Sequence, residues 1–392
     1  MSIWTTPERR QLRESLRAFA EREILPHIEE WELAGELPRE LSRRTAAAGL
    51  LGVGFPEHVG GEGGDGADVA IICEELHEAG VPGGVFASLF TVGIAVPHMI
   101  AAGDPRLIET FVKPTLRGEL IGSLAITEPG GGSDVGHLRT TAVRDGDHYV
   151  VNGAKTYITS AVRGDYVVAA VRTGGPGAGG ISMLVIEKGT PGFEVSRKLA
   201  KMGWRSSDTA ELSFTDARVP VQNLVGAENT GFLQIAQAFV SERIGLAVQA
   251  YSSAQRCLDI TVAWCRDRET FGKPLIARQS VQNTLAEMAR RIDVARVYSH
   301  HVVERSLAGA AGPATSGGGD TDLITAVCFA KNTAVEAGEW VANQAVQLFG
   351  GMGYMAESEI ERQYRDMRIL GIGGGTTEIM TALAAKTLGY QP

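Results

Sequence analysis

Apolar residues in positions 1–120 recur at helical intervals. Leu12, Leu16, Phe19 and Ala20 fall on one face of a helix, and Ile71, Ile72, Leu76 and Ala79 repeat the pattern. Thr6-Pro7-Glu8-Arg9 reads as an N-cap followed by proline in the first turn. A threonine oxygen can accept from an orphan helix amide, and proline brings no amide that needs a partner. The glycine-rich segment 52–66, Pro82-Gly83-Gly84 and Gly103-Asp104-Pro105 break the helices. Phe86, Phe90 and Ile94 follow i, i+4 spacing, which suits core packing or the tail end of a pocket.

From residue 121 the pattern changes. Tyr149-Val150-Val151, Tyr166-Val167-Val168, residues 183–186 and Leu212-Ser213-Phe214 are short runs of strand-forming residues. Asp145-Gly146, Asn152-Gly153 and residues 174–180 supply expected turns between them. Many short strands predict an antiparallel barrel or sandwich. From Gly231 the helical pattern returns, through 232–268, 280–308, 321–348 and 376–387, with 316–320 as a flexible inter-helix loop. The expected fold class is α+β: a helical unit over 1–120, a β unit over 121–230 and a helical unit over 231–392.

Composition narrows the function. Lys plus Arg is 37 and Asp plus Glu is 46 in 392 residues, a net charge of −9 without a basic run, which argues against nucleic acid as a partner. Cys73, Cys257, Cys265 and Cys328 form no CxxC pair and have no histidine at zinc spacing, so they read as reduced thiols. The start has no apolar leader region and no stretch is long enough to cross a bilayer, so a cytoplasmic enzyme is expected. Gly371, Gly373 and Gly374 lack the preceding βαβ unit of a dinucleotide loop. His300 and His301 are adjacent, point to different faces of a helix and cannot share a metal.

Five segments carry chemistry: LAITEPGGGSDV (124–135), NGAKTYITSA (152–161), KMGWRSSDTAELSFTDARVPVQNLVG (201–226), RETFGKPL (268–275) and QLFGGMGY (347–354). Thr127 and Ser133 flank a Pro-Gly-Gly-Gly turn whose backbone amides can approach a ligand closely. The planar fork of Arg268 suits a bidentate phosphate contact. In this order, over nearly the whole chain, the segments resemble the acyl-CoA dehydrogenase family.

The resemblance implies an N-terminal helical domain, a middle antiparallel β-barrel and a C-terminal four-helix bundle. It implies FAD as cofactor and an acyl-CoA as substrate, with electrons passed to an electron-transfer flavoprotein. Leu124, Ile126, Thr127, Gly132 and Ser133 would line the FAD site, Ser133 also lying near the CoA moiety. Tyr157 stands where the family usually has tryptophan and would pack on the isoalloxazine ring, with Thr159 bonding near N5. Arg268, Phe271, Gln347, Gly350 and Gly351 would reach the FAD of a neighbouring subunit, so a homotetramer is expected. Thr376 and Glu378 complete the implied cofactor set, and Arg243 joins Ser133 on the substrate side.

The base departs from the commoner family pattern. After Arg365-Asp366 the string reads Gly373-Gly374-Gly375-Thr376, and the position that usually carries glutamate is Gly374. The isovaleryl-CoA and long-chain branches place the base in a Glu-Arg pair on the first long C-terminal helix, which matches Glu242-Arg243 here. On a helix Glu242 shares a face with Ala238, Phe239, Gly245 and Leu246. That face shows no cationic partner, Arg243 being expected to point elsewhere, so the carboxyl should have a raised proton affinity. The amide of Gly374 is implied as a donor to the thioester carbonyl. Two alternatives remain: a flavin monooxygenase or oxidase on the same fold, and a non-catalytic CoA- or partner-binding relative.

Overall fold

The computed structural model describes residues 2–310 and 321–390. The N-terminal unit contains α1 (Pro7–Glu23), α2 (Ile28–Ala34), α3 (Arg39–Ala47), α4 (Gly66–Glu78), α5 (Gly83–Leu89), α6 (Val92–Ala95), α7 (Pro97–Ala102), α8 (Pro105–Leu107) and α9 (Lys113–Leu116). The Thr6 hydroxyl accepts from the Arg9 amide at 3.3 Å, with Pro7 as first helical residue. Leu16, Phe19 and Ala20 are buried as their spacing requires. A capping box between Asp65 and Asp68 starts α4, which is buried on most of its surface and so takes Glu74, Glu75 and His77 inside with Ile71, Ile72 and Leu76. Those carboxylates are paired: Arg13 reaches Glu74 at 2.8 Å and Glu75 at 2.5 Å. Glu74 also takes hydrogen bonds from Tyr251 and His300, both 2.6 Å, which gives His300 its structural partner. Phe86 and Phe90 pack at 4.8 Å, but α5 ends at Leu89 and Phe90 leaves the α region, so Ile94 lies on a separate helix.

The β unit runs β1 (Gly122–Ala125), β2 (Thr141–Asp145), β3 (His148–Thr159), β4 (Tyr166–Arg172), β5 (Ile181–Glu187), β6 (Phe193–Lys198), β7 (Thr209–Pro220) and β8 (Leu224–Val225). The ladder order is β6-β7-β3-β2-β4-β5-β8, with β1 parallel to β4 and most other pairs antiparallel. β1 also lies near β3, and β5 near β7, strands that are not ladder neighbours, so the sheet rolls over its own core. Alternation then explains β4 and β5. Val167, Ala169, Leu184 and Ile186 fill the core of the rolled sheet, while Val168, Ala170, Met183 and Val185 face the helical core. Strands buried on both faces read as continuous apolar runs.

One expected turn is a bulge instead. Asn152 and Gly153 lie inside β3, where the register with β7 shifts between Val151 and Gly153. The Asn152 side chain bridges to Asp216, accepting from its amide at 2.9 Å and donating to its carboxylate at 3.1 Å. Gly153 is required because a Cβ there would stand 2.5 Å from Thr140 Oγ1.

The C-terminal unit comprises α10 (Gly231–Asp267), a hairpin of β9 (Glu269–Thr270) and β10 (Lys273–Pro274), then α11 (Gln279–Ala310), α12 (Thr321–Phe349), α13 (Glu359–Met367) and α14 (Thr377–Thr387). α10, α11 and α12 pack on one another and α14 closes against α12. The loop expected at 316–320 lies outside the described residues. The four cysteines are free and buried, and no single described helix is long and apolar enough to cross a membrane.

Candidate functional site

Glu242 sits on α10 beside the turn that precedes α14. In that turn Gly374 and Gly375 have φ of +64° and +99°, left-handed values that favour glycine. A Cβ placed on Gly374 would lie 3.4 Å from Glu242 Oε1 and 2.5 Å from Leu246 Cδ1. The side chain of Glu242 therefore reaches over the position that its own sequence leaves bare.

The three carbonyls of the turn face cations. Lys331 Nζ donates to Gly373 O at 2.5 Å and to Gly375 O, and Arg243 Nε donates to Gly374 O at 3.0 Å. The amides of Gly374, Gly375 and Thr376 find no acceptor among the described residues. Thr376 caps α14 by accepting from the Ile379 amide at 3.3 Å, with Glu378 exposed in the first helical turn.

Glu242 is half-buried, and loss of hydration raises its carboxyl above the usual carboxylate range against the pull of Arg243 and Lys331. This corrects the expectation of a face without cations. Arg243 turns back across the Gly374 carbonyl, and Lys331 arrives from α12. Sequence reasoning missed Lys331, although a signal was present: it falls on the helical stripe Val327, Lys331, Ala334, Val335, Gly338 that faces the core. It is 1% exposed, and burial lowers its ammonium to about 8.

The glycine-rich loop after β1 is anchored from beneath. The Glu128 carboxylate accepts from the amides of Arg139 (2.6 Å) and Thr140 (2.9 Å) and from Lys155 Nζ (2.9 Å), and Lys155 also reaches Ile126 O at 3.0 Å. Lys155 is wholly buried, and that burial lowers it to about 8 despite Glu128. The Thr156 amide bonds Thr127 O at 2.9 Å, docking β3 on the loop. A second register shift in β3, between Lys155 and Ile158, turns Tyr157 outward at φ +62° and 69% exposure. Leu124 and Thr159 are half-buried, Ile126 is buried, and Gly132 and Ser133 are exposed.

These residues fit a flavin. The amides of Gly132 and Ser133 and the hydroxyls of Thr127, Ser133 and Thr159 have no partner among the described residues, and a strained backbone holds an aromatic ring in the open beside them. An outlier of this kind is a sign of function. A recess of about 300 Å³ lies among Glu128, Gly130, Asp134, His137 and Gly153. None of the flavin candidates lines it.

The remaining candidates gather at the far end of the bundle. Arg268 follows the last residue of α10, 5.9 Å from the Trp264 ring. Trp264 stacks on Phe349 at 4.8 Å and donates to Leu348 O at 3.2 Å, which brings Gln347, Gly350 and Gly351 to the same end. Phe271 is 97% exposed at φ +51°. At the helical rise, Arg268 stands roughly 39 Å along α10 from Glu242. A flavin reacting beside Glu242 would have its pyrophosphate out of reach of the same chain's Arg268.

Three family models match the chain: the acyl-CoA dehydrogenase N-terminal domain over 6–119, the middle domain over 123–217 and the C-terminal domain over 229–389. The chain is 38% identical over 381 residues to the mitochondrial long-chain specific acyl-CoA dehydrogenase of Sus scrofa, covering 96% of this chain and 85% of that protein. It is 36% identical over 391 residues to a probable acyl-CoA dehydrogenase of Bacillus subtilis, covering 99% and 100%. A solved structure of a putative acyl-CoA dehydrogenase from Mycobacterium smegmatis is 77% identical, with a TM-score of 0.96 over the whole of both chains.

Proposed function

Because this chain belongs to the acyl-CoA dehydrogenase family, whose members are FAD-dependent oxidoreductases acting on CH–CH donors, we propose that it oxidises the Cα–Cβ bond of an acyl-CoA thioester to the trans-2-enoyl-CoA. The observation that carries the mechanism is the approach of Glu242 Oε1 to the Gly374 position. Glu242 takes the α-proton. Burial raises the proton affinity of its carboxyl, which makes the ionised form a stronger base than an ordinary glutamate. The unpaired Gly374 amide donates to the thioester oxygen, where negative charge grows as the proton leaves. FAD supplies, when bound, the N5 atom that accepts the β-hydride.

Thr127, Gly132, Ser133 and Thr159 hold the flavin by hydrogen bonds, with Leu124, Ile126 and Tyr157 against its ring. Arg268, Phe271, Gln347, Gly350 and Gly351 of a neighbouring subunit take its distal half, and the roughly 39 Å separation along α10 supports that division. Thr376 and Glu378 border the cofactor at the start of α14. Ser133 meets the CoA portion, and Arg243 acts through the Gly374 carbonyl. The active form is a homotetramer, and electrons leave to an electron-transfer flavoprotein. The test is single-turnover bleaching of the flavin with thioesters from isovaleryl-CoA to palmitoyl-CoA. Rapid bleaching by at least one is the expected result. No bleaching by any, with rapid oxygen use by the reduced enzyme, would instead establish the monooxygenase or oxidase reading.

A further inference from the structure

Lys331 has no assigned role, yet its ammonium holds the same turn that Glu242 approaches. It bonds both Gly373 O and Gly375 O, and Arg243 takes the carbonyl between them. Two positive φ values in succession give a turn with little intrinsic rigidity, because glycine has many other conformations available. All three carbonyls are held by cations, and the amides of Gly374 and Gly375 have no acceptor among the described residues. A cation so placed also acts on a carboxylate that stands 3.4 Å from the Gly374 Cβ position.

We infer that Lys331 is a positioning residue for proton abstraction: by holding the carbonyls of the Gly373–Gly375 turn it presents the Gly374 amide and tunes the proton affinity of Glu242. The inference deepens the dehydrogenase reading and, for its catalytic consequence, rests on it. Burial raises the proton affinity of Glu242, and the neighbouring Arg243 and Lys331 cations restrain that rise.

Among the described residues, Arg243 and Lys331 are the cations that act on Glu242. On α12, Cys328 is a buried thiol whose pKa is raised by desolvation. On α4, Cys73 lies 3.9 Å from Gly245 O, and His77 is held neutral by burial, its pKa lowered to about 4. On α7, burial lowers His98 likewise to about 4. The charged cluster of Glu74, Glu78, Arg296 and Arg256 with Glu359 of α13 gathers around Tyr251 and Gln255, more than two turns further along α10. Glu378 of α14 is exposed.

The test reads Glu242 itself. The carboxyl stretch of protonated Glu242, assigned by its loss in Glu242→Gln, is titrated by infrared difference spectroscopy in the FAD-bound enzyme, in Lys331→Met and in Lys331→Arg. The expected midpoint in Lys331→Met is about one pH unit higher or more, with Lys331→Arg close to the parent. If Lys331→Met does not fold, Lys331→Gln, which keeps a donor for the turn, carries the same comparison. Equal midpoints in the parent and the neutral variant overturn the inference. Single-turnover flavin bleaching by an acyl-CoA is then followed against pH. Its acid limb should move with the infrared midpoint, whereas a purely structural lysine would scale the rate equally at every pH. If no acyl-CoA bleaches the parent flavin, the dehydrogenase reading fails, and the infrared midpoint still decides whether Lys331 governs Glu242.

Discussion

Glu242 closes on Gly374, with its carboxylate oxygen 3.4 Å from the point where a Gly374 side chain would begin. Two positions distant in sequence thus address one point in space, and the carboxylate is supplied from the helix rather than from the turn. Glu242→Gln keeps the shape and removes the base. Flavin bleaching by substrate should slow ~10²–10⁴-fold while FAD content stays unchanged. In the parent the rate should rise with pH through a midpoint above the usual glutamate range, because only the ionised carboxylate accepts the proton. A near-parental rate in the variant sinks the assignment, and loss of FAD would mark Glu242 as structural.

A side chain at Gly374 meets both strain and Leu246. Gly374→Ala should cost about 1–2 kcal/mol from the left-handed backbone alone, with a further penalty because its Cβ falls 2.5 Å from Leu246 Cδ1. Leu246→Ala in the same chain should recover part of the lost thermal stability. For the same reason a carboxylate returned by Gly374→Glu in the Glu242→Gln background should restore bleaching only when Leu246 is also shortened. Activity returning equally with Leu246 intact would contradict the packing described.

Shared sites can be tested by mixing subunits. Glu242→Gln lacks the base in its own site, and Arg268→Ala lacks the pyrophosphate contact, worth about 1.5–3 kcal/mol for a charged hydrogen bond. If Arg268 serves a neighbour, co-assembled subunits form some sites that have both residues, and activity should appear in the mixture that neither variant shows at limiting FAD. Absence of complementation in verified mixed oligomers places Arg268 in its own chain's site.

Asp366 makes stability depend on pH in an unusual direction. It is buried, its Oδ1 accepts from the Trp204 amide at 2.6 Å, and Oδ2 has no partner among the described residues. Burial and then Glu32 raise it to about 6. The unfolded chain releases this proton first, near the ordinary aspartate value of ~3.9, so the folded state binds more protons between the two values. Its contribution should therefore fall as pH rises from about 4 to about 6. Asp366→Asn keeps an acceptor for Trp204 and abolishes that fall. Denaturant midpoints of parent and variant should diverge in favour of the variant across this window; a difference that ignores pH removes the explanation.

Much of this was legible along the chain because it depends on local physics. Periodicity placed the long helices, since one face of each had to be apolar, and continuous apolar runs placed the inner strands, which are buried on both faces. The Thr6-Pro7 start was readable because capping needs only neighbouring residues. Glu242 could be proposed as the base from its helix neighbours and the family resemblance. Asn152-Gly153 misled because the same dipeptide serves a turn or a bulge, and only the approach of Thr140 across the sheet selects the bulge.

Tertiary structure alone decided what surrounds Glu242. Lys331 comes from another helix, and its charge could be placed only once α12 was packed beside α10. Arg243 was expected to point away, but the turn before α14 offers its guanidinium a carbonyl, and that bond turns it back. The pairing of Glu242 with Gly374 is likewise a relation between segments that sequence spacing cannot express. Local patterns follow from bonded geometry and hydration, which every short segment carries within itself, whereas the electrostatics of a site depend on distances that exist only after the chain has closed on itself.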